Sequence, residues 1–145
     1  MVDAIAPRPP PALLRRYRLA LATQIALIGL IDLGAYTGHI PSQIYWLPYY
    51  DTVMHFLLVG VFGGLLDGAL AHRAIVRVPF VPRVGPGIAM VLAGTEEYLQ
   101  RLSPRRSSSW SDLAANFGGI LVCSWLLKRV TMAHLTRLEA KARPA

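Results

Sequence analysis

The chain has 145 residues, which is enough for one domain. Its formal net charge is +7 at pH 7, a basic balance that in a water-soluble protein would indicate a nucleic-acid partner. Apolar residues make up 54% of the sequence and charged residues only 16%, whereas a soluble domain carries about 25% charged residues. The composition therefore excludes an ordinary water-soluble domain, argues against a nucleic-acid partner, and predicts an integral membrane protein.

Four hydrophobic segments predict an all-α membrane protein, a bundle of about four transmembrane helices. In chain order they are Leu19–Tyr36, Val53–Ala71, Val84–Gln100 and Leu113–Leu127. A spanning helix needs about 17–25 predominantly apolar residues. The third segment contains one proline and two glutamates, so three spans with a re-entrant third segment is the alternative. The predicted domain covers residues 17–132, between a Pro/Arg-rich cytoplasmic tail (1–16) and a polar cytoplasmic tail (133–145). The fourth helix is expected to continue past Lys128 as it leaves the membrane.

Basic residues are unevenly distributed between the two sides of the predicted bundle. Twelve of the fifteen Lys and Arg residues flank the first segment, the loop after the second, or the end of the fourth. Only Arg101, Arg105 and Arg106 lie in the loop between the third and fourth segments. Because cytoplasmic flanks attract Lys and Arg, this split predicts that both termini are cytoplasmic.

Polar residues converge at the predicted outer ends of the second, third and fourth helices. Asp51 and His55 are four residues apart, so they share a helix face, and Asp112 and Asn116 have the same spacing. Ionisable groups in membrane segments are costly and usually face the bundle interior or a wet cavity. We therefore predict one polar cluster, composed of Asp51, His55, Glu97, Gln100, Arg106, Asp112 and Asn116.

Glycines at regular spacing predict close helix packing. Gly60, Gly64 and Gly68 are spaced four apart on the second helix, and Gly119 offers a similar flat position on the fourth. Small residues at this spacing allow membrane helices to approach closely.

Three motifs in this region resemble those of VanZ-like membrane proteins. The letters DTVMHF from Asp51 resemble their D-x-x-x-H-F, EYLQ from Glu97 resembles E-x-x-Q, and the stretch from Arg106 to Gly119 resembles R-x5-D-x-x-x-N-x-x-G. One departure is Thr52, where such proteins commonly carry lysine. The resemblance implies a multi-pass protein of the bacterial inner (cytoplasmic) membrane. The family is named for a protein associated with low-level resistance to the glycopeptide teicoplanin.

Three functions follow from this reasoning. The first is the binding or shielding of a lipid or peptidoglycan component at the outer face, where Arg106 would bind phosphate or carboxylate, and Asn116 and Gln100 would supply neutral hydrogen bonds. The second is a small accessory subunit of a larger membrane complex, in which the polar cluster is a structural clamp. The third is a membrane enzyme acting on envelope lipids, with His55 and Glu97 as candidate acid–base residues.

Other chemistry has little support in the sequence. The histidines show no HxxxH or HExxH spacing, Cys123 is the single cysteine, and no serine elbow or phosphate-binding glycine loop is present. We therefore predict no metal and no cofactor, and an enzyme is the weaker interpretation. Asp67 is expected either to relay protons or to pair with a cytoplasmic arginine such as Arg73, and His72 and His134 are expected to be solvated.

Overall fold

The computed structural model describes residues 9–39, 49–73, 83–103 and 109–142, and within them the chain forms four helices and no strand. They are α1 (Pro11–Thr37), α2 (Tyr50–Ala69), α3 (Val84–Gln100) and α4 (Trp110–Ala142). The predicted all-α class is confirmed. Three stretches, α1, α2 and Trp110–Lys141 of α4, are long and apolar enough to cross a membrane. Helix α3 forms over its predicted range but has only 17 residues, so a fourth span stays a prediction.

The first and last helices, α1 and α4, are longer than the hydrophobic segments that they contain. Helix α1 begins at Pro11, inside the predicted tail, because proline fits the first position of a helix, where no N–H is needed. It ends at Thr37 and is capped by Gly38, whose φ of 78° lets the His39 N–H donate to the Gly34 carbonyl at 2.8 Å. Helix α4 continues through residues 133–142 of the predicted C-terminal tail. Its 33 residues span about 50 Å, more than the hydrocarbon core of a bilayer.

Helix α2 lies at the centre of the bundle and packs against the other three helices, while α3 also packs against α4. Glycines allow these helices to approach closely. A Cβ atom at Gly60 would lie 2.8 Å from the Gly119 carbonyl carbon of α4, and one at Gly68 would lie 2.6 Å from the Tyr17 ring of α1. Ala89 of α3 and Ile120 of α4 are fully buried between these helices. The glycines of α2 are thus covered by the chain's own helices.

The perimeter of the bundle, the surface that faces away from its core, is apolar. Only Tyr17 and Ala35 of α1 are buried, and Leu19, Leu30 and Leu33 of this helix are at least 60% exposed. Contiguous apolar surface of this kind is rare on soluble monomers. It fits a membrane protein in which the perimeter of the bundle contacts lipid.

Candidate functional site

His55 lies where α2 changes from α-helical to π-helical geometry, over His55–Val59. Its side chain is buried, and its Nδ1 lies 3.1 Å from the Asn116 side-chain oxygen on α4. Its Nε2 lies 3.7 Å from a carboxylate oxygen of Asp51, one turn earlier on α2. Turns of π-helix are frequent at functional sites, and this one presents His55 to two helices at once.

Asp112, at the start of α4, is held by two hydroxyl groups. The Thr52 hydroxyl donates to one carboxylate oxygen at 2.7 Å, and the Ser109 hydroxyl donates to the other. The Ser109 oxygen also accepts from the Asp112 backbone N–H at 3.1 Å, which caps the helix. Thr52, the departure from the VanZ-like pattern, therefore orients a buried carboxylate. We call Asp51, Thr52, His55, Ser109, Asp112 and Asn116 the His55 cluster.

Helix α3 adds two buried side chains beside this cluster. Glu97 is 3% exposed, and its Oε1 accepts from the Ser109 N–H at 2.8 Å. Gln100 is 1% exposed and donates to Glu96, one turn earlier on α3, at 2.5 Å. Glu97 Oε2 and Gln100 Oε1 have no hydrogen-bond partner among the described residues. Arg106, the predicted cationic member of the site, lies outside the described residues.

The backbone contact between α2 and α4 brings the cluster together. Gly119 packs against the Phe56 carbonyl so closely that a Cβ would lie 3.0 Å from the Phe56 carbonyl carbon. Phe56 follows His55, and Asn116 lies one turn before Gly119. The missing side chain at Gly119 therefore lets Asn116 reach His55.

A cavity of about 980 Å³ opens beside the His55 cluster. Its polar lining residues come from all four helices and include Asp32, Asp51, His55, Glu96 and Asn116. The rest of the lining is mostly apolar and includes Ile28, Leu58, Phe62 and Leu92. From Tyr50 to Phe62 the cavity follows α2 for about 18 Å. We call it the amphipathic cavity, because it is polar near the start of α2 and apolar along its length.

Comparison of the chain with protein-family models, with curated proteins and with solved structures finds no match. The site is therefore interpreted from its own geometry. The cavity can accept a molecule with a polar head and an apolar tail. Both ring nitrogens of His55 face side chains of the cluster, on Asn116 and Asp51, so the imidazole is oriented by its neighbours.

A second polar cluster, which we call the Asp67 cluster, occupies the opposite end of the bundle. Asp67 is fully buried, and Arg83 contacts both of its carboxylate oxygens, through Nε at 3.0 and 2.9 Å and through Nη2 at 2.7 Å. His72 Nδ1 lies 2.7 Å from the same carboxylate. Arg83 also donates to the Ser124 carbonyl at 3.1 Å, so the cluster joins α2 and α4 through the residue that precedes α3.

The Asp67 cluster corrects part of the sequence interpretation. His72 is buried, so its prediction as a solvated residue was wrong. Ala71 and His72 both have positive φ values, 57° and 54°, and this turn folds the His72 ring back onto Asp67. The paired arginine is Arg83 rather than Arg73. A buried carboxylate needs a partner, which sequence reasoning could anticipate, but a left-handed turn without glycine or asparagine carries no sequence signal.

Proposed function

We propose that this chain is a VanZ-like protein of the bacterial cytoplasmic membrane that binds or shields an amphipathic envelope component, a lipid or a lipid-linked peptidoglycan precursor. In this proposal four helices cross the membrane and both termini are cytoplasmic. The uneven distribution of Lys and Arg supports that orientation. The His55 cluster then lies at the outer face, and the Asp67 cluster lies near the cytoplasm.

The amphipathic cavity is the observation that carries the proposal. Ligand pockets commonly have volumes of about 300–1,000 Å³ and combine a mostly apolar lining with a few polar groups. The 980 Å³ cavity has this composition, and its polar groups lie at one end rather than scattered along it. A lipid would place its head near Asn116 and His55 and a hydrocarbon chain along Leu58 and Phe62.

The polar end favours head groups that donate hydrogen bonds. Its described residues offer carboxylate oxygens of Asp32, Asp51 and Glu96, which accept hydrogen bonds from hydroxyl or ammonium groups. For a phosphate or carboxylate in the head group, the proposal assigns Arg106, as the sequence motif does. An accessory subunit has less support, because Gly60, Gly64, Gly68 and Gly119 all face this chain's own helices.

The proposal is tested by expression in a glycopeptide-sensitive bacterium. We expect the chain to change the concentration of teicoplanin that inhibits growth. Leu58→Trp, which fills the cavity, should remove the change, and Leu57→Trp, an exposed neighbour outside the cavity lining, should keep it. Equal effects of the two variants at equal protein levels would contradict the proposal.

A further inference from the structure

Three metal-ligand side chains meet within the His55 cluster. Asp51, His55 and Asp112 each place one ligand atom within 4.8 Å of the other two. His55 Nε2 and Asp51 Oδ1 lie 3.7 Å apart. Bonds of about 2.0–2.2 Å from one metal ion to nitrogen and carboxylate oxygen separate neighbouring ligand atoms by about 3–4 Å. The 3.7 Å separation lies in this range, and the other separations are within 4.8 Å, so small side-chain movements would bring all three atoms onto one ion.

The hydrogen bonds prepare His55 for such a role. In the neutral tautomer whose Nδ1–H donates to the Asn116 side-chain oxygen, the lone pair is on Nε2 and faces the Asp51 oxygen. The Nε2 lone pair and the Asp51 oxygen can both bind a cation placed between them. Metal-binding histidines commonly donate their other N–H to an oxygen, which fixes the ring. Asn116 has that position here.

A second observation is that two buried carboxylates, Glu97 and Asp112, lie at this end of the bundle. Glu97 is 3% exposed, its Oε2 has no hydrogen-bond partner among the described residues, and its Oε1 shares Ser109 with Asp112. Buried carboxylates without a compensating cation are strongly disfavoured. A cation bound here would offset the negative charge of these carboxylates.

We propose that Asp51, His55 and Asp112 bind one divalent transition-metal ion, with Zn²⁺ as the expected occupant. One imidazole nitrogen and two carboxylates suit Zn²⁺ better than Mg²⁺ or Ca²⁺, which prefer oxygen ligands alone. Asp51 and His55 also line the amphipathic cavity, so further coordination positions face open space. The metal site goes beyond the proposed lipid binding and does not depend on it.

Calorimetric titration with ZnCl₂ alone tests the site, using full-length protein in detergent after removal of metals with a chelator. We expect one Zn²⁺ per chain in the wild type and loss of this stoichiometric binding in His55→Ala and in Asp112→Asn. His134→Ala, which removes an exposed histidine on the distant part of α4, is the control and should bind as the wild type does. Circular dichroism and gel filtration establish whether each variant is folded.

A second measurement on the wild type removes any dependence on variant folding. Co²⁺ added in place of Zn²⁺ should give saturable visible absorption at one equivalent, and Zn²⁺ should displace it. Asn116→Ala should weaken Zn²⁺ binding by about 10–100-fold, the usual effect of removing a partner that orients a ligand. A wild type that binds neither ion, or folded His55→Ala and Asp112→Asn proteins that bind Zn²⁺ like the wild type, would overturn the proposal.

Discussion

The backbone contact between α2 and α4 can be tested by adding a single methyl group. In Gly60→Ala the new Cβ would lie 2.8 Å from the Gly119 carbonyl carbon and 2.9 Å from its Cα and oxygen. Because carbon atoms in contact are normally about 3.5–4.0 Å apart, the two helices must separate by roughly 1 Å. Gly119 cannot yield by rotating a side chain.

The destabilisation caused by Gly60→Ala is isolated by comparison with a matched variant on α3, Gly94→Ala. Gly94 also lies inside a helix, but a Cβ there would have no neighbour within 4 Å. Replacing glycine by alanine favours a helix by about 1 kcal/mol at either position. This contribution cancels between Gly60→Ala and Gly94→Ala, and the remaining difference is the overpacking cost of about 1–3 kcal/mol.

Reversible unfolding in mixed detergent micelles, followed by circular dichroism during titration with dodecyl sulfate, measures this difference. We expect Gly94→Ala to be neutral or more stable than the wild type. Gly60→Ala should have a free energy of unfolding about 1–3 kcal/mol below that of Gly94→Ala. Variants that agree within about 0.5 kcal/mol would refute the inferred contact, since that is the range of surface substitutions.

Two further outcomes concern polar groups at opposite ends of the bundle. Arg83→Ala leaves the carboxylate of fully buried Asp67 without its arginine partner and should lower the free energy of unfolding by about 3–5 kcal/mol in the same assay. Exposed Arg73→Ala is the control, and equal effects of the two variants would contradict a stabilising ion pair between Arg83 and Asp67. Ser109→Ala removes the helix cap and one bond to Asp112, so we expect a loss of about 1–2 kcal/mol. Ser111→Ala removes only the exposed contact of the Ser111 hydroxyl with the Ser109 hydroxyl and should have little effect. A Ser109→Ala protein as stable as that variant would contradict the capping role.

The hydrophobic segments predicted the number and order of the described helices. The positions at which the helices begin and end were harder to predict. Val84–Gln100 forms a helix over its predicted range, between Arg83 and Arg101. The start of α1 differs, because a run of prolines is typical of a tail and yet one proline fits the first helical turn. The π-helical turn at His55–Val59 has no recognisable sequence pattern.

Pairs that form between helices were the least predictable part of the site. The (i, i+4) spacing correctly placed Asp51 on the same face as His55, since helix geometry alone determines it. Contacts such as Thr52 with Asp112 depend on how α2 and α4 are rotated, which periodicity does not specify. For the same reason, residue spacing within one helix does not predict the proposed metal-ligand set, which comes from both α2 and α4.

Native mass spectrometry tests the central proposal, lipid binding in the amphipathic cavity, most directly. The protein is extracted from its own membrane in mild detergent as wild type, Leu58→Trp and Leu57→Trp. We expect one retained molecule of lipid mass on the wild type and on Leu57→Trp, and none on Leu58→Trp, whose indole occupies the cavity. The mass of that molecule would distinguish a membrane phospholipid from a lipid-linked precursor. The absence of bound lipid from the wild type, equal retention by Leu58→Trp, or a stoichiometric mass of other protein chains in place of lipid would contradict the proposal.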